Sequence, residues 1–224
     1  MKFVLTDRWR EGYPEAFMGV LVLNDLTLED SGSKFHSIRA ELERELRVRY
    51  SGFDRAKLKA LPAIRAYDDF YHGFKKTYHL LLQLESILGG KSIPAGNPLV
   101  SAMFMAELDD LLLTAGHDLD QLSGAIQFDV AAGGESYEAM NGEQQTLKTN
   151  DLFTADEQGV ISSVIYGPDR RTRILPTTTA ALFTTYGVPG ITREQALVHL
   201  QRLSDLIQTL SPQVKQDQLD VVTP

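Results

Sequence analysis

The residues of this chain best suited to moving a proton are a histidine and a carboxylate side by side, His117-Asp118. An imidazole titrates near neutral pH and an adjacent carboxylate can orient it, which is the pairing that general acid–base chemistry uses. Hydrolytic use of such a pair also requires a positioned water and donors for the developing negative charge. Donors are available at Asn97-Pro98, a helix start whose first N–H groups lack intrahelical partners, and in the threonines Thr177 to Thr179 and Thr184-Thr185. By residue type, Asn97, Asp118, Glu135, Thr178 and Thr184 are the candidate binding groups, and His117 is the one able to transfer a proton. A plainer reading is open for each. Asp118 caps a turn ahead of Leu119 and His117 is exposed, Glu135 after Gly133-Gly134 is a surface residue, and the threonines are simply strand formers.

A second cluster has the composition of a nucleic-acid contact. His72 and His79 flank Lys75 and Lys76, with Tyr71, Phe74 and Tyr78 interleaved, a mixture able to stack a base and hold a phosphate. Arg170, Arg171 and Arg173 follow the Gly167-Pro168 turn and can steer a phosphate or carboxylate. Lys75, Lys76, Arg171 and Arg173 are the candidate RNA contacts. A solvated turn with its aromatics in the core, and a charged hairpin tip, are the structural alternatives. The net charge of −8 opposes a broad grip on phosphates, so any hold on an RNA end is local and weak.

No cofactor or metal is indicated. Asp68-Asp69 and Asp109-Asp110 are adjacent, so their side chains diverge on a helix, and no histidine spacing suits zinc. Gly133-Gly134 lacks the remainder of a phosphate loop. With 0 cysteines there are no disulfides or thiolates, and the sequence reads as cytoplasmic. The apolar run near Met1 is too short for a signal peptide, and no run approaches the roughly 18 residues that span a bilayer.

The elements that must position these groups divide into helices and then strands. Lys2 to Thr6 and Ala16 to Leu23 read as strands. Amphipathic helices are predicted from Lys34 to Arg49 behind Ser33, from Pro62 to His72, and from Tyr78 to Leu88 behind Thr77. Another starts at Asn97-Pro98 and runs to about Leu112. Beyond it come short strands at Ala125 to Ala131, Leu152 to Ala155, Val160 to Tyr166 and Ala180 to Thr185, with a hairpin at Asn141-Gly142. Thr192 and Gln195 form a capping-box pattern ahead of a last helix, which Pro212 stops. This order predicts an α+β class, one domain over residues 1–212, and a polar, frayed tail over 213–224.

In the same order, Ile64 to Val100 (IRAYDDFYHGFKKTYHLLLQLESILGGKSIPAGNPLV) is similar to the helix, basic turn, helix and Asn-Pro start of free-standing B3/B4 domain proteins. Asp118 to Leu122 resembles their aspartate-led turn and Gly133-Gly134-Glu135 their Gly-Glu element. Ala155-Asp156 with Gly159-Val160, and Thr177 to Leu182, resemble the strand and threonine-rich segment that follow. The family resembles the tRNA-editing B3/B4 module of the phenylalanyl-tRNA synthetase β subunit. The resemblance implies a layered domain with a mostly antiparallel β-sandwich of unusual topology and flanking helices. It also implies a tRNA-associated protein whose pocket accepts the aminoacyl-tRNA 3′ end and hydrolyses a mischarged ester in trans, with the Asn97 helix start, the 115–118 turn and the strand near Thr178 to Thr184 brought together as a neutral, donor-rich cleft. The synthetase module carries a histidine three residues before the turn aspartate and a glutamate ending the last strand. Those positions are Ala115 and Thr184 here, with His117 two residues on as the substitute. The departures favour a non-catalytic module that binds a small molecule or an RNA end, and the helix Lys34 to Arg49 leaves an interaction protein open.

Overall fold

Seven buried residues in succession, Phe17 to Leu23, make β2 (Phe17–Asn24) a strand covered on both faces. In the computed structural model, which describes residues 1–28 and 32–224 apart from the side chains of 32–34, a sheet forms around it. β3 (Thr114–Asp118), β10 (Ala181–Gly187) and β11 (Lys215–Val222) join it in the order β11-β2-β10-β3, all antiparallel. The second sheet takes β1 (Phe3–Leu5), β4 (Ile126–Val130), β7 (Leu152–Asp156), β8 (Gly159–Ser163) and β9 (Gly167–Pro168), ordered β1-β4-β7-β8-β9. Only β1 with β4 is a parallel pair in it. β5 (Ser136–Glu138) and β6 (Gln144–Thr146) form the hairpin around Asn141-Gly142, where Gly142 has a φ of +85°.

Tyr186 of β10 joins the two sheets. Its hydroxyl meets Thr154 Oγ1 of β7 at 2.8 Å and Ser162 Oγ of β8 at 2.9 Å. Helices cover the rest. Thr6 caps α1 (Asp7–Gly12), which buries Trp9. α2 (Gly32–Arg49), α3 (Arg55–Lys59), α4 (Pro62–His72), α5 (His79–Leu88) and α6 (Pro98–Asp110) pack as a helical layer. α7 (Arg193–Leu210) lies against β2 at Gly19, where an added Cβ would stand 2.9 Å from Leu200 Cδ1. Thr192 and Gln195 make both bonds of the capping box. The result is an α+β domain of layered, mostly antiparallel sheets with flanking helices. Among the described residues no helix is long and apolar enough to cross a membrane.

Four sequence expectations change. The residue capping α5 is Tyr78, without a side-chain bond, and not Thr77. Residues 114–118 form strand β3, because they pair with β10 before the aspartate-led turn begins at Leu119. α6 stops at Leu111 in the left-handed region at φ 61°, one turn in front of that strand. Within the 213–224 segment, β11 (Lys215–Val222) pairs with β2 from Asn24 to Met18, so polarity marked an outer edge strand here. The Ser33 cap lies outside the described side chains.

One apolar core takes residues from the helices and from both sheets, and thermal unfolding is expected as a single transition. A limited digest leaving two stable halves split near Gly124 would contradict this. Ending the chain at Pro212 uncovers the β2 edge and is expected to lower the melting midpoint by roughly 5 °C or more, read by calorimetry. An unchanged midpoint would show that β11 adds no stability.

Candidate functional site

A cavity of about 470 Å³ lies between helices α4 to α6 and the strands β3, β8, β9 and β10. Val100, Met103 and Phe104 of α6, Ala115 of β3 and Val164-Ile165 after β8 give it apolar walls. Tyr71, Tyr166 and Tyr186 add aromatic ones. Met140, Tyr166 and Arg173 are its more exposed members and mark the rim. This is the size and character of a small-molecule site. A second hollow of about 480 Å³, between α2, α6 and α7, is a surface groove whose Asp109 and Arg202 pair with each other at 2.9 Å.

The register explains why there is room. Ala115 stands directly opposite Thr184 across the β3–β10 ladder, so the two side chains share the face that Tyr186 also occupies. Both are small, and the Thr184 hydroxyl is buried without a hydrogen-bond partner. The two positions where the resemblance places a histidine and a glutamate are therefore one cross-strand pair, in which Ala115 lines the cavity and Thr184 is buried beside it.

Glu107 is the acid of the cavity. It is 1% exposed, on the face of α6 that also supplies Met103 and Phe104. Its Oε1 accepts the Thr114 N–H at 2.7 Å, while Oε2 is buried without a partner. Burial pushes its carboxyl up to about 8, against the opposing pull of that N–H. The half-buried His79 stands 3.4 Å from the Tyr71 hydroxyl, and loss of solvation lowers its imidazole to about 4.

His117 does not border the cavity. It is fully buried two residues along β3, with Nδ1 2.7 Å from Thr172 Oγ1. The Thr172 hydroxyl donates to Asp169, so it accepts from His117, which places the proton on Nδ1 and leaves Nε2 as an acceptor without a partner. Burial, followed by the nearby Arg171 guanidinium, lowers His117 to about 3. A neutral imidazole so held is a poor proton shuttle at pH 7. A third arrangement has the order of a Ser-His-Asp relay: Thr114 Oγ1 is 2.6 Å from His199 Nε2, and His199 Nδ1 is 3.0 Å from Asp110 Oδ2. That hydroxyl is turned to α7 and also meets Thr185 at 3.2 Å, so it serves packing between sheet and helix.

The remaining predicted residues scatter. Asn97 caps α6 by accepting the Leu99 N–H at 2.9 Å, with Nδ2 buried and unpaired. Asp118 caps its turn and accepts the Thr178 hydroxyl at 2.6 Å, so both are spent closing one loop. Glu135 accepts the Ala132 and Gly133 N–H groups at 2.9 Å, holding the Gly-Gly turn. Arg171 bonds Gln121 O at 2.7 Å and Asp156 at 2.8 Å, a structural tie and not a free cation. Arg173 is at the cavity rim. Lys75 is exposed, and Lys76 Nζ sits 4.4 Å from the Tyr166 ring centre. The expected neutral, donor-rich cleft is replaced by an apolar cavity with one acid. Glu107 was missed, although a lone glutamate among Met103, Phe104, Met105 and Leu108 was a visible break in an apolar run.

Comparison with known proteins gives a family match. The model of the B3/4 domain matches residues 75–212, more than half of the chain. A solved N-terminal fragment of the phenylalanyl-tRNA synthetase beta-subunit from Pyrococcus horikoshii is similar with a TM-score of 0.48 at 11% identity. The alignment covers 93% of this chain, and the chain spans 48% of that fragment, about half its length. No curated protein matches the chain.

Two measurements check these electrostatics. Because Glu107 has a folded value of about 8 against 4.5, its contribution to stability is full below pH 4.5 and is lost as pH rises through 8. Glu107→Gln keeps an acceptor for Thr114 and is expected to stabilise the protein at pH 9 by on the order of 2–4 kcal/mol, with little effect at pH 5. Denaturant midpoints that differ equally at both pH values would show Glu107 to titrate as in water. For His117 the ring-proton shift should stay flat from pH 8 to 5, and a midpoint inside that window would refute the assigned burial.

Proposed function

The chain belongs to the B3/4 domain family, and on that premise we propose that its cavity binds the aminoacyl group at the 3′ end of a tRNA, in the cytoplasm, as a recognition module and not as a hydrolase. The observation that carries the reading is the Ala115–Thr184 pair. Ester hydrolysis needs a group near the acyl carbon able to move a proton from water, and this pair has a methyl group and a buried hydroxyl, the cavity's acid being Glu107 on α6. The room left by the two small residues serves binding instead. An acyl side chain is matched by Val100, Phe104, Ile165 and Tyr71, and its polar end by few, well-placed groups.

Arg173 at the rim and Lys76 over Tyr166 are the cations in position to meet the phosphates of an RNA end. With so few of them on a chain of net charge −8, affinity rests on the cavity, and its dependence on salt is shallow.

The test is a paired assay on tRNA mischarged with tyrosine and on a panel of other aminoacyl-tRNAs. Ester half-life is expected to be unchanged by the protein, while filter retention shows weak binding that Ala115→Leu, which fills the cavity, reduces at least about tenfold. Accelerated ester loss that survives His117→Ala but not Glu107→Gln would instead make the cavity hydrolytic. Tight retention of arbitrary RNA at physiological salt would overturn the cavity as the source of affinity.

A further inference from the structure

We infer that Glu107 is the recognition group for a protonated amine, so that the cavity selects ligands carrying an apolar body and a free, charged amino group, received by Oε2. The inference rests on reading the cavity as an aminoacyl site and names the part of the ligand that is read.

Glu107 is 1% exposed, yet Oε2 has no donor. A buried acceptor is normally satisfied, and this one, covered but unpaired, belongs to a residue that lines the cavity, so a ligand donor reaches it by shifting the cavity wall. The neighbouring hydroxyls do not supply it. Tyr67 donates to Tyr186 O at 2.6 Å, Tyr71 to Val164 O at 2.6 Å and Tyr78 to Leu111 O at 3.2 Å. Each tyrosine proton is thus committed to a main-chain carbonyl, and the one bond Glu107 does make, from Thr114 N, holds Oε1 and fixes the carboxylate plane.

Ligand charge follows from what surrounds the acid. From α4 it is faced by Tyr67 and Tyr71, and from the start of α5 by Tyr78 and the imidazole of His79, which is neutral above about pH 4. Asp151, behind the cavity residue Ser163, adds a further acid, and Arg173 stands at the rim. None of the cavity's described inner groups gives Glu107 a cationic partner. An ammonium would supply the missing donor and the missing charge together, and the aromatic faces of Tyr71, Phe104 and Tyr186 also favour a cation. A carboxylate or phosphate at the same place would find no cation among those inner groups and would leave Glu107 in its neutral form, without a charge partner. Because the empty carboxyl holds its proton up to about pH 8, docking an ammonium at pH 7 expels that proton to solvent. Release of about one proton on binding is a signature that a purely structural glutamate would not give.

Calorimetry on the full chain with four probes decides the matter: 3′-deoxy-3′-(L-phenylalanylamino)adenosine, its N-acetyl derivative, 2-phenylethylamine and 2-phenylethanol. The free amines are expected to bind at least about tenfold tighter than their neutral counterparts. Measured at pH 7 in buffers of different ionisation enthalpy, their binding should release protons. Glu107→Gln should lose both the preference and the release while retaining the thermal midpoint at pH 7 or raising it. If wild type binds the two nucleosides equally, the Glu107 inference falls and the aminoacyl reading stands. If phenylethylamine binds through Glu107 while neither nucleoside binds, the amine site stands and the aminoacyl reading falls. If no probe binds at millimolar concentration, both are overturned.

Discussion

A tyrosine hydroxyl buried where two sheets meet must find partners on both sides of the junction, and Tyr186 does so. Its oxygen reaches Thr154 and Ser162 in the sheet opposite, and its own carbonyl accepts the Tyr67 hydroxyl from α4. Three layers are thus registered at one residue. Sliding β10 by one position would turn Tyr186 to the α7 face and leave Thr154 and Ser162 without it. With that register set, Ala115 and Thr184 are obliged to face the space between the sheets, and the cavity opens next to the tyrosine that holds its walls apart.

Moving along the same face of β3 and β10, the polar groups pass through three states. Tyr186 is satisfied on every side. Thr184 has no partner, and across from it Ala115 has nothing polar to offer. His117 then joins through Nδ1 a network of Thr172, Asp169, Asp156 and Arg171, with its Nε2 left unpaired away from the cavity. Of the three, the middle pair is the one that adjoins the cavity with a hydroxyl unpaired, Ala115 lining the space and Thr184 buried across from it. The loop that closes the far end is fastened by Thr178 on Asp118, so the network is shut off from solvent on that side. These are the residues whose types suggested chemistry in the sequence, and their types are explained by closure of a loop.

The elements were legible because their signals are local. Pro62, Asn97-Pro98 and the Thr192–Gln195 box mark helix starts by the bonding of a single turn, and the structure uses all three. Strand β11 was hidden because Lys215 to Val222 is polar, and an edge strand with one wet side needs no apolar run. The site was less legible for a different reason. Whether His117 faces a pocket depends on which residue of β10 it opposes, and that pairing spans a sequence separation of 65 residues, from His117 to Leu182. The resemblance did carry information across that distance, since the two positions it singled out as departures, Ala115 and Thr184, meet. Glu107 belonged to no motif, and its importance arises only when α6 is laid against β3.

Three histidines and two buried acids in or near the cavity have the chemistry to move a proton, and their surroundings separate them. His117 is neutral at physiological pH and tied through Nδ1. His199 is held at both nitrogens, between Asp110 and Thr114. His79 is neutral as well and stands beside Tyr71. Burial raises both Glu107, to about 8, and Asp151, to about 7, and each keeps one oxygen without a partner, but of the two it is Glu107 that lines the cavity. The same burial that raises its pKa makes its ionised form costly in the empty cavity, so the charge develops only when a cation arrives to share the space. A carboxyl with that property discriminates between ligands by their charge before it does any chemistry on them. Loss of proton-moving groups at Ala115 and Thr184 and gain of a buried acid at position 107 therefore point the same way, toward a cavity whose remaining polar group selects what enters.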